Sequence, residues 1–233
     1  QSYHLIQGLY FGGNVDDVSL EEVSFEDVAD QLALNLRRQN YISEPDPEKG
    51  DLLIMIHYGV TNLQESYAEI TGYDPDNEFA LDERDPEDVY DFDLTNKALP
   101  KFWGATPSRR QGLKQKYFRA SMLGMEDVFS WSISSYEAHV LEELVAEQRY
   151  FFVLTAFDLP LLKQGEKKVL WTTRYSVRTL GQPFDQAVKE LNHVAGDYFG
   201  KNFKNLISKR ATDESLVEMG EIEVIGEEEE TSN

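Results

Sequence analysis

The acidic run over residues 71–94, TGYDPDNEFALDERDPEDVYDFDL, holds the residues best suited to bind a cation. Asp74, Asp76, Glu78 and Asp82 are the candidate metal ligands, because calcium takes its oxygens from carboxylates and carbonyls. The spacing departs from an EF-hand loop, since the central glycine and the closing glutamate of that motif are missing. Two interpretations stay open: a calcium site and a solvated acidic loop.

A second group of charged residues lies around a predicted β-hairpin. Arg174 and Arg178 fall on the polar face of its second strand, and Asp158 ends its first strand. We predict ion pairs between Asp158 and these arginines across the hairpin. The polar face is then either a structural or solvated sheet face, or a surface that binds an anion or docks a partner.

No residue pattern in the chain assigns catalysis. The histidines, His4, His57, His139 and His193, are isolated in sequence, and no HExxH motif is present. His57 lies in an apolar strand, where we expect a hydrogen-bonded core histidine. Neither a Gly-x-Ser-x-Gly elbow nor a phosphate-binding glycine motif occurs. A hydrolase-type site assembled from scattered acids and histidines stays open.

The hairpin gives the clearest structural signal in the sequence. Residues 169–177 alternate on a period of two in β-branched and aromatic residues, which is typical of a strand with one buried face. Residues 150–157 are almost wholly apolar, as in a strand at the centre of a sheet. Residues 163–168, with Gly165, predict a polar turn. We therefore place this hairpin at the centre of the sheet.

The remaining elements follow from capping and periodicity. Ser24, with Asp27 three residues later, marks a helix start, and Pro183 suits a first helical turn. Residues 100–111 are predicted as loop. The other predicted elements are strands at 2–11, 51–61 and 216–225, and helices from 24, at 113–123, at 125–148 and from 183.

This order of elements predicts an α/β (α+β) fold. We expect a mixed sheet of four or five strands with a central antiparallel hairpin and helices mainly on one face. Residues 1–226 form a single domain in this prediction, because the first strand–helix–strand unit is too small to be stable alone. A long acidic insertion is predicted at about residues 72–112, and a disordered acidic tail at 227–233.

Composition limits the function classes. The 22 basic and 43 acidic residues give a net charge of −21, which repels nucleic acid and anionic lipid, so we expect neither as a partner. The absence of cysteine excludes disulfides and thiolate chemistry within this chain. No apolar run approaches the roughly 20 residues of a membrane span. Because the chain begins at Gln1, either a leader was removed or the sequence is trimmed, and we expect a removed export signal.

The last third of the chain resembles a segment of uncharacterised exported bacterial α/β proteins. In those proteins a strand ending in an aromatic-Asp pair leads through a basic turn to a Leu-Trp strand, and a helix closing in Tyr-Phe-Gly follows. The matching residues are Phe157-Asp158, Lys167-Lys168, Leu170-Trp171, Arg174, Gly181, Phe184 and Tyr198-Phe199-Gly200. The start of the chain is more loosely similar to small α/β envelope lipoproteins, although it lacks their lipid-acceptor cysteine.

The resemblance implies an exported or periplasmic setting and transfers no catalytic residue. We therefore expect a non-enzymatic protein of the cell envelope that binds a protein partner or supports envelope assembly. No cofactor is predicted, apart from calcium if the acidic run binds it. Two alternatives stay open: a hydrolase-type enzyme and a calcium-dependent binding module.

Overall fold

The computed structural model describes residues 1–12, 19–46, 48–61, 107–129, 133–179, 183–201, 207–210, 216–219 and 223–224. The strands are β1 (Ser2–Phe11), β2 (Ile42–Ser43), β3 (Leu52–Val60), β4 (Arg149–Asp158), β5 (Val169–Arg178), β6 (Ile207–Arg210), β7 (Leu216–Met219) and β8 (Glu223–Val224). The helices are α1 (Ser19–Glu22), α2 (Phe25–Arg38), α3 (Pro107–Leu123), α4 (Ser135–Ala146), α5 (Leu159–Lys163) and α6 (Phe184–Ala195).

All eight strands belong to one mixed sheet. Its order is β2-β1-β3-β4-β5-β7-β6, and β8 also pairs with β5. β1 is parallel to β2 and β3, and the other pairs are antiparallel. The predicted α/β class is therefore confirmed. Four strands of nine or ten residues form the body of the sheet. Short strands of two to four residues extend it, and of these β2 and β6 were not predicted.

The predicted hairpin lies at the centre of this sheet. β4 and β5 pair in antiparallel register from Arg149–Arg178 to Phe157–Val169, and β4 pairs with β3 on its other side. β4 is buried along nearly its whole length. The turn contains the short helix α5 and then Gly165, which has a positive φ of 85°. Glycine takes that conformation without the steric cost that a Cβ would add.

The first crossover is built as the local signals predict. Ser24 caps α2, and its hydroxyl and the Asp27 carboxylate form both bonds of a capping box. The apolar residues Val28, Leu32 and Leu36 then recur on the buried face of the helix. Because α2 connects β1 to β3, which are parallel neighbours, this stretch forms a β-α-β unit.

Helices pack on both faces of the sheet, so the expectation of helices mainly on one face is wrong. α2 and α6 share one core with alternate residues of β4, among them Phe152 and Leu154. α3 and α4 share a second core with the intervening residues Phe151 and Val153. Leaving either apolar face of β4 in contact with water would destabilise the fold, because the burial of apolar surface is favourable. This explains the second layer of helices.

The predicted helix at 125–148 is also wrong in its extent. Gly124, at a φ of 68°, follows α3. Residues 126–129 form a 3-10 turn, and α4 starts only after Ser134. Ser134 makes a capping box with Glu137, so a helix start is encoded there. α3 begins at Pro107, so residues 107–111 are helical and not loop. No helix in the ranges given above has the length and apolarity needed to cross a bilayer.

Candidate functional site

Polar side chains interrupt the sheet face that α3 and α4 cover. His57 of β3, Thr155 of β4, and Thr172 and Arg174 of β5 are each at most 9% exposed. The register places Val153 between His57 and Arg174, and places Thr155 directly opposite Thr172. The polar face predicted for β5 is therefore buried at Thr172 and Arg174 and reaches solvent at Arg178.

His57 is a hydrogen-bonded core histidine, as predicted. Its ring lies over Gly8, where an added Cβ would collide with the ring atoms. The backbone N–H of Leu9 donates to Nδ1 over 2.8 Å. Burial lowers the pKa of His57 to about 4. The ring is therefore neutral near pH 7 with its proton on Nε2, and Nδ1 is already engaged as an acceptor.

An arginine-rich network joins the ends of β4 and β5, and we call Glu147, Arg149, Ser176 and Arg178 the arginine clamp. Arg149 is 1% exposed, and its Nε donates to the Ser176 hydroxyl over 3.0 Å while Nη1 donates to Glu147 Oε2 over 3.0 Å. Arg178 binds both oxygens of the same carboxylate, with Nε to Oε2 at 2.6 Å and Nη2 to Oε1. The Glu147 carboxylate thus balances the positive charge of two guanidinium groups, of which that of Arg149 is fully buried.

Thr61 connects the arginine clamp to β3. Its hydroxyl donates to the Glu147 carbonyl over 3.2 Å and accepts the Arg149 N–H over 3.0 Å. Its own N–H donates to the Arg149 carbonyl over 2.9 Å. The clamp therefore holds the end of one central strand against the start of the next. The arginine clamp was not predicted from the sequence. Its only local signal was the pair of opposite charges at Glu147 and Arg149, directly before an apolar strand.

Asp158 is not part of this group. Arg178 pairs with Arg149 at the start of β4, whereas Asp158 lies at the other end of that strand. Asp158 Oδ1 accepts the Leu161 N–H over 3.0 Å and caps α5. The predicted ion pair between Asp158 and Arg178 is therefore wrong, because antiparallel pairing places the end of β4 beside the start of β5. Arg174 lies opposite Val153, which precedes Asp158 by five positions, so the register does not place Arg174 beside Asp158 either.

The calcium ligands predicted from sequence, Asp74, Asp76, Glu78 and Asp82, lie outside the described residues. Among the residues that are described, no group of three acids, histidines or cysteines is arranged to hold a metal ion.

The outer edge of β1 offers a different kind of site. β2 covers this edge only at Ser2 and Tyr3. The carbonyls of Gln1 and Tyr3 accept the N–H groups of Ile42 and Glu44 there, at 2.9 and 3.0 Å.

Backbone groups alternate in direction along a strand, so those of Leu5 and Gln7 also point to this outer side. Within the described part of the chain, neither residue has a hydrogen bond on that side. Gln7 is exposed and Leu5 is half-buried. The edge therefore presents backbone donors and acceptors that another strand can pair with.

Comparisons with known proteins identify no relative: no family model, no curated protein and no solved structure matches this chain.

Proposed function

We propose that this chain is a non-enzymatic protein of the bacterial cell envelope that binds a protein partner through the outer edge of β1. The observation that carries the proposal is the outward backbone of Leu5 and Gln7, which has no described partner. Strand addition to an exposed edge is a common mode of peptide recognition, in which main-chain hydrogen bonds supply much of the affinity. The envelope setting rests on the resemblance of residues 149–201 to exported bacterial proteins.

The edge is held in place before any partner arrives. β1 pairs with β3 along most of its length. Tyr3 and Phe11, near its two ends, are each 1% exposed and belong to the cores on opposite faces of the sheet. Binding to a strand that is already ordered avoids much of the entropy cost of association. These contacts favour a binding surface at this edge.

Site-directed cross-linking tests this proposal, because the chain has no cysteine of its own. Gln7→Cys places a single thiol on the edge, and Gln186→Cys places one on an exposed position of α6. Each variant is labelled with a benzophenone maleimide and irradiated with envelope and cytosolic fractions of the native cell. We expect one protein adduct, from the envelope fraction, at position 7 and none at position 186.

Two results would contradict the proposal. Equal labelling at both positions would show that the adducts form by non-specific contact and not at a defined binding site. Adducts formed only with cytosolic proteins would place the chain outside the envelope.

A further inference from the structure

Among the described residues, the part of the β1 edge that β2 leaves uncovered is a short slot with defined ends. At one end, β2 stops where the Glu44 N–H donates to the Tyr3 carbonyl, and Pro45 follows, which has no N–H to continue a ladder. At the other end, the pairing of β1 with β3 shifts register between Gln7 and Tyr10. Such an irregularity bends a strand and ends regular pairing. The slot therefore accepts roughly three to five residues of an extended chain.

Acidic side chains lie at both ends of the slot, and the lysines near its Tyr3 end, Lys49 and Lys163, already pair with Asp46 and Glu48. β1 contains no Asp, Glu, Lys or Arg. Glu44 lies at the Tyr3 end. Glu22 and Glu26 lie near the Tyr10 end, where the Tyr10 hydroxyl donates to the α1 residue Leu20 over 3.2 Å. There the rings of Phe25 and Tyr58 stack at 6.5 Å, beside the Tyr10–Tyr58 contact at 5.3 Å.

We propose that the occupant of this slot is an extended, basic segment of a partner protein. This inference rests on the proposed function and adds the chemical class of the partner. Leu5 and Gln7 each offer one N–H and one C=O to its backbone. Lysine or arginine side chains at its two ends then meet Glu44 on one side and Glu22 and Glu26 on the other. The net charge of −21 steers a basic segment towards the chain and repels an acidic one.

Capped synthetic peptides test the inference directly. The probe is Lys-Thr-Val-Thr-Val-Thr-Lys, and its counterpart carries glutamate at both ends. A third peptide keeps the lysines but is N-methylated on alternate residues, so it cannot complete a ladder. Binding is measured by calorimetry, and hydrogen exchange is followed at single amides of the full chain. We expect the basic peptide to slow exchange at Leu5 and Gln7 by about tenfold or more. The amides of His4 and Ile6, which face β3, are the internal reference.

Variants at one position separate the backbone from the side chain. Gln7→Pro removes the outward N–H and is tolerated on an edge strand, whereas Gln7→Thr keeps that N–H. We expect Gln7→Pro to abolish peptide binding and Gln7→Thr to retain it. Unchanged melting temperatures and circular dichroism confirm that both variants fold. The acidic peptide should bind at least about tenfold more weakly at low salt.

Several results would overturn the inference. They are equal affinity for the acidic and basic peptides, binding that survives Gln7→Pro, and no protection of Leu5 and Gln7 by any peptide. A dimer of this chain that dissociates on Gln7→Pro would place a second copy in the slot and would also overturn it. These failures are separable from failure of the proposed function, because the cross-link at position 7 reports any partner, whatever its charge.

Discussion

At the scale of single residues, the burial of His57 makes stability depend on pH. Its pKa in the folded chain is about 4, against 6.5 for a solvated histidine. Between these values the unfolded chain binds more protons, so the free energy of unfolding rises with pH across this window. The contribution of His57 is complete above about pH 6.5 and is lost as the pH falls towards 4.

We predict that His57→Asn flattens this pH dependence. The asparagine oxygen can still accept the Leu9 N–H that His57 Nδ1 binds, but the side chain does not titrate. The native chain should lose about 2 kcal/mol more unfolding free energy than His57→Asn between about pH 7 and pH 5. Urea unfolding of both chains at each pH measures the difference. Parallel pH profiles would show that His57 is protonated in the folded state or has solvent access.

Two buried threonines give a matched test of the hydrogen bonds that Thr61 makes with the arginine clamp. Thr61 and Thr173 are both 0% exposed. The Thr61 hydroxyl makes hydrogen bonds with Glu147 and Arg149, whereas that of Thr173 has no partner within the described chain.

Threonine to valine removes one hydroxyl at nearly constant volume. We predict that Thr61→Val costs about 1–3 kcal/mol, because the buried Arg149 N–H loses its acceptor. Thr173→Val should be neutral or slightly stabilising. Denaturant midpoints at unchanged slope provide the measurement. Equal costs at the two positions would show that the Thr61 hydroxyl contributes no more than the Thr173 hydroxyl.

At the scale of elements, the sequence predicted those parts whose signals are local. The capping box at Ser24 and the period of two at residues 169–177 are signals within a few residues, and they correctly predicted the start of α2 and the strand β5. Gly165 in the turn is another such case. The expectation that β5 has only one buried face is wrong, because its polar residues Thr172, Arg174 and Ser176 are buried as well. The start of α4 was equally local, since Ser134 and Glu137 form the same motif as Ser24 and Asp27. That start was missed because the surrounding apolar spacing favoured one long helix.

The pairing of charged side chains depends on register, which is not local. Arg178 was expected to pair with Asp158, yet it meets Glu147, because Arg149 and not Asp158 is its neighbour in β4. The placement of helices on the faces of the sheet depends partly on local signals and partly on how the strands pair. Residues 150–157 are apolar on both faces, and this already required helices on both sides of the sheet. The part of the β1 edge that has no partner among the described residues could not be predicted either, since it depends on β2 ending after two residues.

At the scale of the whole molecule, the excess of acids over bases determines the response to salt. A net charge of −21 destabilises the compact state through self-repulsion. Added salt reduces the distance over which these charges act from about 30 Å at 0.01 M to about 3 Å at 1 M. The same screening weakens the attraction of a basic segment to the β1 edge. Stability and partner affinity should therefore change in opposite directions with ionic strength.

Salt titration also separates general screening from a specific cation site. We predict that the melting temperature rises as sodium chloride increases from about 10 mM to about 500 mM. Calcium and magnesium chloride at matched ionic strength should give equal increases, because screening does not distinguish the two ions. A larger increase in about 1 mM calcium, reversed by EGTA, would instead identify a calcium site. Substitution of Asp74, Asp76, Glu78 and Asp82 by asparagine or glutamine would then have to abolish it.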